Sequence, residues 1–120
     1  MKNDFAEVVA SIFSVIDSCQ WAKLPAHFHP DVQYFRPGYK PIEGLVDLLD
    51  FYENRRIIKA GKHMIEAVCS SACGNVISAS GSFAGIDRHG NDLRTRFCDV
   101  YYMQDGKVKR RETFFDSPAV

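Results

Sequence analysis

The chain has almost nothing at its extremes. It carries no net charge: 15 Lys and Arg balance 15 Asp and Glu over 120 residues. No global basic field therefore points to nucleic acid. It has no long apolar run, and nothing approaches the roughly 18 residues of a membrane span. It has no disulfide framework and no zinc spacing. Cys69 and Cys73 are separated by Ser-Ser-Ala, Cys19 and Cys98 stand alone, and no His/Glu cluster has metal spacing. Four reduced thiols, no metal and a cytosolic location are the expectation. Met1-Lys2-Asn3-Asp4-Phe5 runs straight into an amphipathic pattern, so no signal peptide is expected. Repeats, low-complexity tracts and linkers are missing too, which leaves one domain over 1–120. What remains is 46% hydrophobic and 25% charged, the balance of an ordinary soluble domain.

Helical periodicity dominates the first half. Phe5, Val8, Val9, Ile12, Phe13, Val15 and Ile16 predict a helix over 4–18, with Asp4 and Glu7 as a capping box. A short second helix is predicted at 21–28, with Trp21, Leu24 and Phe28 on one side, distorted by Pro25 and stopped by His29-Pro30-Asp31. Val32–Arg36 reads as a strand and Pro37–Pro41 as a loop. Leu45, Leu48, Leu49 and Tyr52 give a third helix over 45–56, with Arg55, Arg56 and Lys59 at its C-terminal end. Strands follow near 62–71, 75–86, 93–103 and 107–116, and Asp105-Gly106 signals a hairpin. Helices followed by antiparallel strands predict an α+β domain, one curved sheet with helices on one face. Residues 78–85 are unusually small for a strand, which leaves room for a ligand or marks strong curvature.

Local motifs in this order carry a resemblance. His29-Pro30-Asp31-Val32, Arg36-Pro37-Gly38, Pro41-Ile42-Glu43-Gly44, Phe51-Tyr52, Asp99-Val100-Tyr101-Tyr102 with Asp105-Gly106-Lys107-Val108, and Phe114–Ala119 together resemble the ketosteroid isomerase-like, or SnoaL-like, branch of the NTF2-like superfamily. The resemblance implies a cone-shaped α+β fold of the cystatin-like kind, a curved antiparallel sheet wrapped around three N-terminal helices. It implies an enclosed apolar pocket and a homodimer through the sheet's outer face. Relatives include isomerases, cyclases, epoxide hydrolases, dehydratases, transport factors and non-catalytic binders, so the fold leaves the function open.

Steroid isomerases use a carboxylate base, a tyrosine donor and a protonated aspartic acid. Asp99 falls where the resemblance places the protonated acid. The base position falls at Arg36, which cannot abstract a proton, and the tyrosine position at about Ile12, which has no donor. Steroid isomerase chemistry is therefore not expected. Arg36 instead favours an anionic substrate group, or pairs with Asp99 and turns that acid into a base. Tyr34 shares its strand face with Arg36 and is the replacement donor. Asp99, Tyr34 and Arg36 are the candidate catalytic residues; Tyr101, His63, Arg111, Phe115 and Trp21 are candidate substrate contacts.

The last hairpin decides the partner of Asp99. A two-residue loop puts it opposite Glu112, a three-residue loop opposite Arg111. The second is preferred, because the resemblance then turns Arg111, Thr113 and Phe115 inward. Arg55, Arg56, Lys59 and Lys62 form a basic cluster, a solvated helix end or a basic lip for an acidic ligand. The expected function is cofactor-independent acid/base chemistry on a small molecule, such as isomerisation, cyclisation or dehydration beside a carbonyl. The alternatives are a non-catalytic small-molecule binder and an epoxide hydrolase-like Asp99, Arg111 and Asp116 arrangement.

Overall fold

The computed structural model describes residues 5–116. The Asp4 cap and the end of the terminal motif lie outside them. Helix α1 spans Phe5–Asp17 and buries Val9, Ile12, Phe13, Val15 and Ile16. Each such apolar side chain contributes roughly 1.5–3 kcal/mol when buried. The second helical segment is a tight 3-10 helix over Trp21–Ala26 with Pro25 inside it. It is shorter than expected because the chain is already extended by Phe28. Strand β1 runs Phe28–Phe35 and takes in the His29-Pro30-Asp31 stop. A two-residue strand β2, Ile42–Glu43, pairs with β1 where only a loop was expected.

Helix α2 is Leu45–Asp50 and continues as a wider π turn over Phe51–Arg55. That turn is closed by the Arg56 N–H, which donates to the Phe51 carbonyl at 2.9 Å. Strands β3 (Ile58–Ser70), β4 (Val76–Asp87), β5 (Asp92–Gln104) and β6 (Lys107–Phe115) complete one six-stranded sheet in the order β2-β1-β6-β5-β4-β3. The sheet is curved and unclosed, and antiparallel except that β1 runs parallel to β6. No helix among the described residues is long and apolar enough to cross a membrane.

The inner face carries the core. Across it, Tyr34 stands beside Arg111, Arg111 opposite Tyr101, and Tyr101 opposite Ile77. One step along, Thr113, Asp99 and Ala79 form the next row, then Phe115, Phe97 and Gly81. His63 stands opposite Phe83, which stands opposite Thr95. The small residues of β4 serve curvature at Gly81 and leave no ligand space there: a Cβ would sit 1.9 Å from the Met64 carbonyl oxygen, beside a register shift in β3.

The hairpin corrects both sequence alternatives. Asp105 (φ 54) and Gly106 (φ 77) make a two-residue turn between Gln104 and Lys107. The register then shifts between Tyr102/Arg110 and Met103/Val108, which leaves Lys109 as an extra residue. Asp99 therefore stands opposite Thr113, not Glu112 or Arg111. The inward set Arg111, Thr113 and Phe115 survives, because the turn and the bulge together preserve the face.

Candidate active site

A cavity opens between the inner sheet face and the α2 segment. Its volume is about 50 Å³, and its wall includes Tyr34, Arg36, His63, Asp99, Arg111 and Phe115. The structure thus brings six of the sequence candidates onto one cavity. Tyr52, Phe51, Phe83 and Phe97, which the sequence did not single out as site residues, line the same space, as does Arg56 of the basic cluster. The exposed Ile57 (41%) and the half-buried Arg36 mark its mouth, while Asp99 (1%) and Arg111 (3%) lie at its floor.

The floor is a dense polar cluster. Arg111 donates from Nε (3.2 Å) and Nη2 (2.8 Å) to Asp99 Oδ2, and from Nη1 to the Tyr52 hydroxyl at 2.7 Å. The Tyr101 hydroxyl donates to the same Oδ2 at 2.8 Å, and the Thr113 hydroxyl to Oδ1 at 2.7 Å. Every polar contact of the Asp99 carboxylate is thus with a donor, the pattern of an acceptor-only group. Thr113 spends its single proton on Asp99, so at 3.1 Å it accepts from the Tyr34 hydroxyl. Tyr52 is the phenol with an unspent donor: its oxygen accepts from Arg111, and among the described residues nothing receives its O–H. The Arg111 guanidinium also lies over the Tyr34 ring at 4.5 Å.

Burial shapes the ionisation of this floor. Loss of solvent, opposed by the nearby Arg111 charge, pushes the Tyr34 hydroxyl up to about 12. Burial and then the Asp99 charge raise Tyr101 well above its ordinary range. Burial works against the charge on Arg111, but the Asp99 carboxylate prevails and its pKa lies well above the ordinary value. The folded phenols bind their protons longer than the unfolded ones. Their contribution to stability is therefore complete below about pH 10, the ordinary tyrosine value, and is lost as pH rises toward 12. Chemical denaturation at a series of alkaline pH values should show that decline, and Tyr34→Phe should flatten it.

His63 sits on the wall with an unanticipated partner. Its Nδ1 lies 2.6 Å from Asp17 Oδ1 at the end of α1, and its backbone N–H donates to Asp17 Oδ2 at 2.9 Å. The ring stacks on Phe13 at 4.1 Å and meets Phe83 at 4.8 Å and Phe97 at 5.1 Å. A carboxylate only accepts, so Nδ1 donates to Asp17, and Nε2 has no hydrogen-bond partner among the described residues. The sequence offered no signal for Asp17, which is 46 residues away.

The other candidates fall differently. Arg36 makes no ion pair with Asp99; its guanidinium lies 4.2 Å from both the Tyr39 and Phe51 ring centroids. Tyr101 is fully buried behind the floor and Trp21 is half-buried against Tyr52, and neither is among the residues that line the cavity. Trp21 stacks on Tyr52 at 4.7 Å, and Tyr101 supports Asp99. Asp116 does not join Asp99 and Arg111. Its carboxylate accepts from Thr95 and the Arg96 N–H, so the Asp-Arg-Asp arrangement does not form.

Known proteins match this architecture. The profile of the SnoaL-like domain matches residues 9–111. A comparison with curated proteins finds no match. Among solved structures, an NTF2-like protein of unknown function from Burkholderia pseudomallei superposes with a TM-score of 0.83 at 16% identity, covering 96% of this chain and 92% of that one. An LEH-like epoxide hydrolase from M. tuberculosis gives 0.79 at 15% identity, covering 92% and 76%. A candidate SnoaL-like polyketide cyclase from Jannaschia gives 0.77 at 13% identity, covering 97% and 90%. At such identities the structures establish the fold, an α+β cone of the NTF2-like kind. The profile covers most of the chain, and the protein belongs to the SnoaL-like domain family.

Proposed function

We propose that this protein is a cofactor-independent enzyme that moves a proton beside a carbonyl group of a small oxygenated molecule. The observation that carries the reading is the pairing of a free donor and a free acceptor on one apolar cavity. Tyr52 offers an unclaimed O–H at the floor, and His63 an unclaimed Nε2 on the wall. The first would hold the oxygen that becomes an enolate, and the second would take the proton. Asp99 stays in the site with the task of fixing Arg111, whose charge lies behind the Tyr52 oxygen. Tyr34 closes the network through Thr113, and Arg36 guards the mouth. Isomerisation, cyclisation and dehydration all begin with this step. The company of cyclase-like and epoxide hydrolase-like structures agrees with a small-molecule site.

The cavity has room for only a few water-sized molecules, so a ring-sized substrate requires the Tyr39–Arg36–Phe51 stack to open. A simple probe is the exchange of the α-protons of β-tetralone for deuterium, followed by proton NMR. The wild-type protein should accelerate exchange over buffer. Tyr52→Phe should lower that acceleration by roughly 100-fold, the typical effect of removing one oxyanion donor, with little change in ketone affinity. An unchanged rate in Tyr52→Phe would remove the donor from the reading. A non-catalytic binder would take up the ketone and leave its protons in place.

A further inference from the structure

The basic cluster of the sequence comes apart in the folded chain. Arg55 is exposed and paired with Asp47 and Asp50. Lys59 and Lys62 are exposed on β3. Arg56 alone turns inward. It is 7% exposed, lies 4.9 Å over the Trp21 ring, and reaches Cys19 Sγ with Nη2 at 3.8 Å. It lines the same cavity as Arg36. The Nε of Arg36 is buried and has no hydrogen-bond partner among the described residues.

The charges on that wall do not balance. Three arginines, Arg36, Arg56 and Arg111, line it with one carboxylate, Asp99, which Arg111 already holds. Neither Arg36 nor Arg56 has an ion pair among the described residues. Aromatic faces attract a cation but offer no in-plane acceptor to its N–H groups. A guanidinium taken from water without acceptors is costly, and a planar anion restores two hydrogen bonds at once. The rest of the wall is Phe51, Tyr52, Phe83 and Phe97, flat apolar surfaces suited to a ring.

We propose that Arg36 and Arg56 together bind the carboxylate of an aromatic acid, so that the cavity selects acidic ring compounds over their neutral counterparts. The proposal names the substrate class for the site described above. It rests on the cavity being the ligand site and is independent of the proton transfer itself.

Trp21 provides the test. It is the only tryptophan, and it lies stacked on Tyr52 beneath Arg56. Its fluorescence should follow titration with benzoate, benzamide and inorganic phosphate. Benzoate should bind saturably and at least about tenfold tighter than benzamide, as loss of a charge-assisted hydrogen bond predicts. Arg36→Leu and Arg56→Leu should each shrink that preference. If a variant fails to fold, the wild-type comparison of benzoate with benzamide decides alone. Equal binding of the two overturns the proposal and leaves the cavity reading standing. Phosphate binding as tightly as benzoate overturns the aromatic selectivity. If neither ring compound perturbs Trp21 while ketone exchange is active, only the acid-binding proposal falls. If exchange is also inactive, both fall.

Discussion

Arg111→Met is expected to cost about 3–5 kcal/mol of folding stability, the range for breaking one half of a buried ion pair. Arg111 and Asp99 are both almost wholly inaccessible, and their side chains approach to 2.8 Å. Removing the guanidinium leaves a carboxylate at the floor with only the Tyr101 and Thr113 hydroxyls. It also strips the Tyr52 oxygen of its donor. Asp99→Asn keeps the shape and the oxygen acceptor, so it should cost less. The double variant Asp99→Leu with Arg111→Met should recover much of the loss, because buried pairs are often replaceable by apolar groups of similar size. Urea denaturation of the four proteins measures this directly. A single Arg111→Met variant as stable as wild type would show that the cluster contributes nothing to the fold.

His63→Gln is expected to lower catalysed proton exchange by roughly 10²–10⁴-fold, the usual contribution of a positioned acid or base. The ring is held by Asp17 and by three phenylalanines, so its direction is fixed before any ligand arrives. Asp17→Asn should have a smaller effect, on turnover rather than affinity, since Asp17 acts through the orientation of His63. It should also loosen the tie between α1 and β3, where the Asp17 carboxylate accepts the His63 backbone N–H. Circular dichroism and ketone affinity separate a catalytic loss from a structural one. Full activity in His63→Gln would return the role of base to Asp99.

How much of this was legible follows from what is local. The helical period of α1 and the Asp105-Gly106 turn are local signals, and both are found in the structure. The shared face of Asp99, Arg111, Thr113 and Phe115 was legible through the family resemblance. Its register was not, because a bulge at Lys109 leaves no sequence mark. Nothing local announces that β1 lies parallel to β6 or that Asp17 meets His63 across 46 residues. Arg55 and Arg56 are neighbours with the same chemistry, yet one is solvated and the other lines the cavity. The π turn at the end of α2 makes that division, and no residue pattern foretold it. Trp21 keeps the apolar side expected of it, and it stacks on Tyr52 outside the set of residues that line the cavity.

The central claim is that the cavity itself moves protons. The most direct measurement is the rate of β-tetralone deuterium exchange by wild-type protein and His63→Gln, each compared with free imidazole at equal concentration. The account predicts saturable exchange well above imidazole for the wild type and a fall of at least about 100-fold in the variant. Exchange no faster than imidazole, or equal in the two proteins, would contradict it.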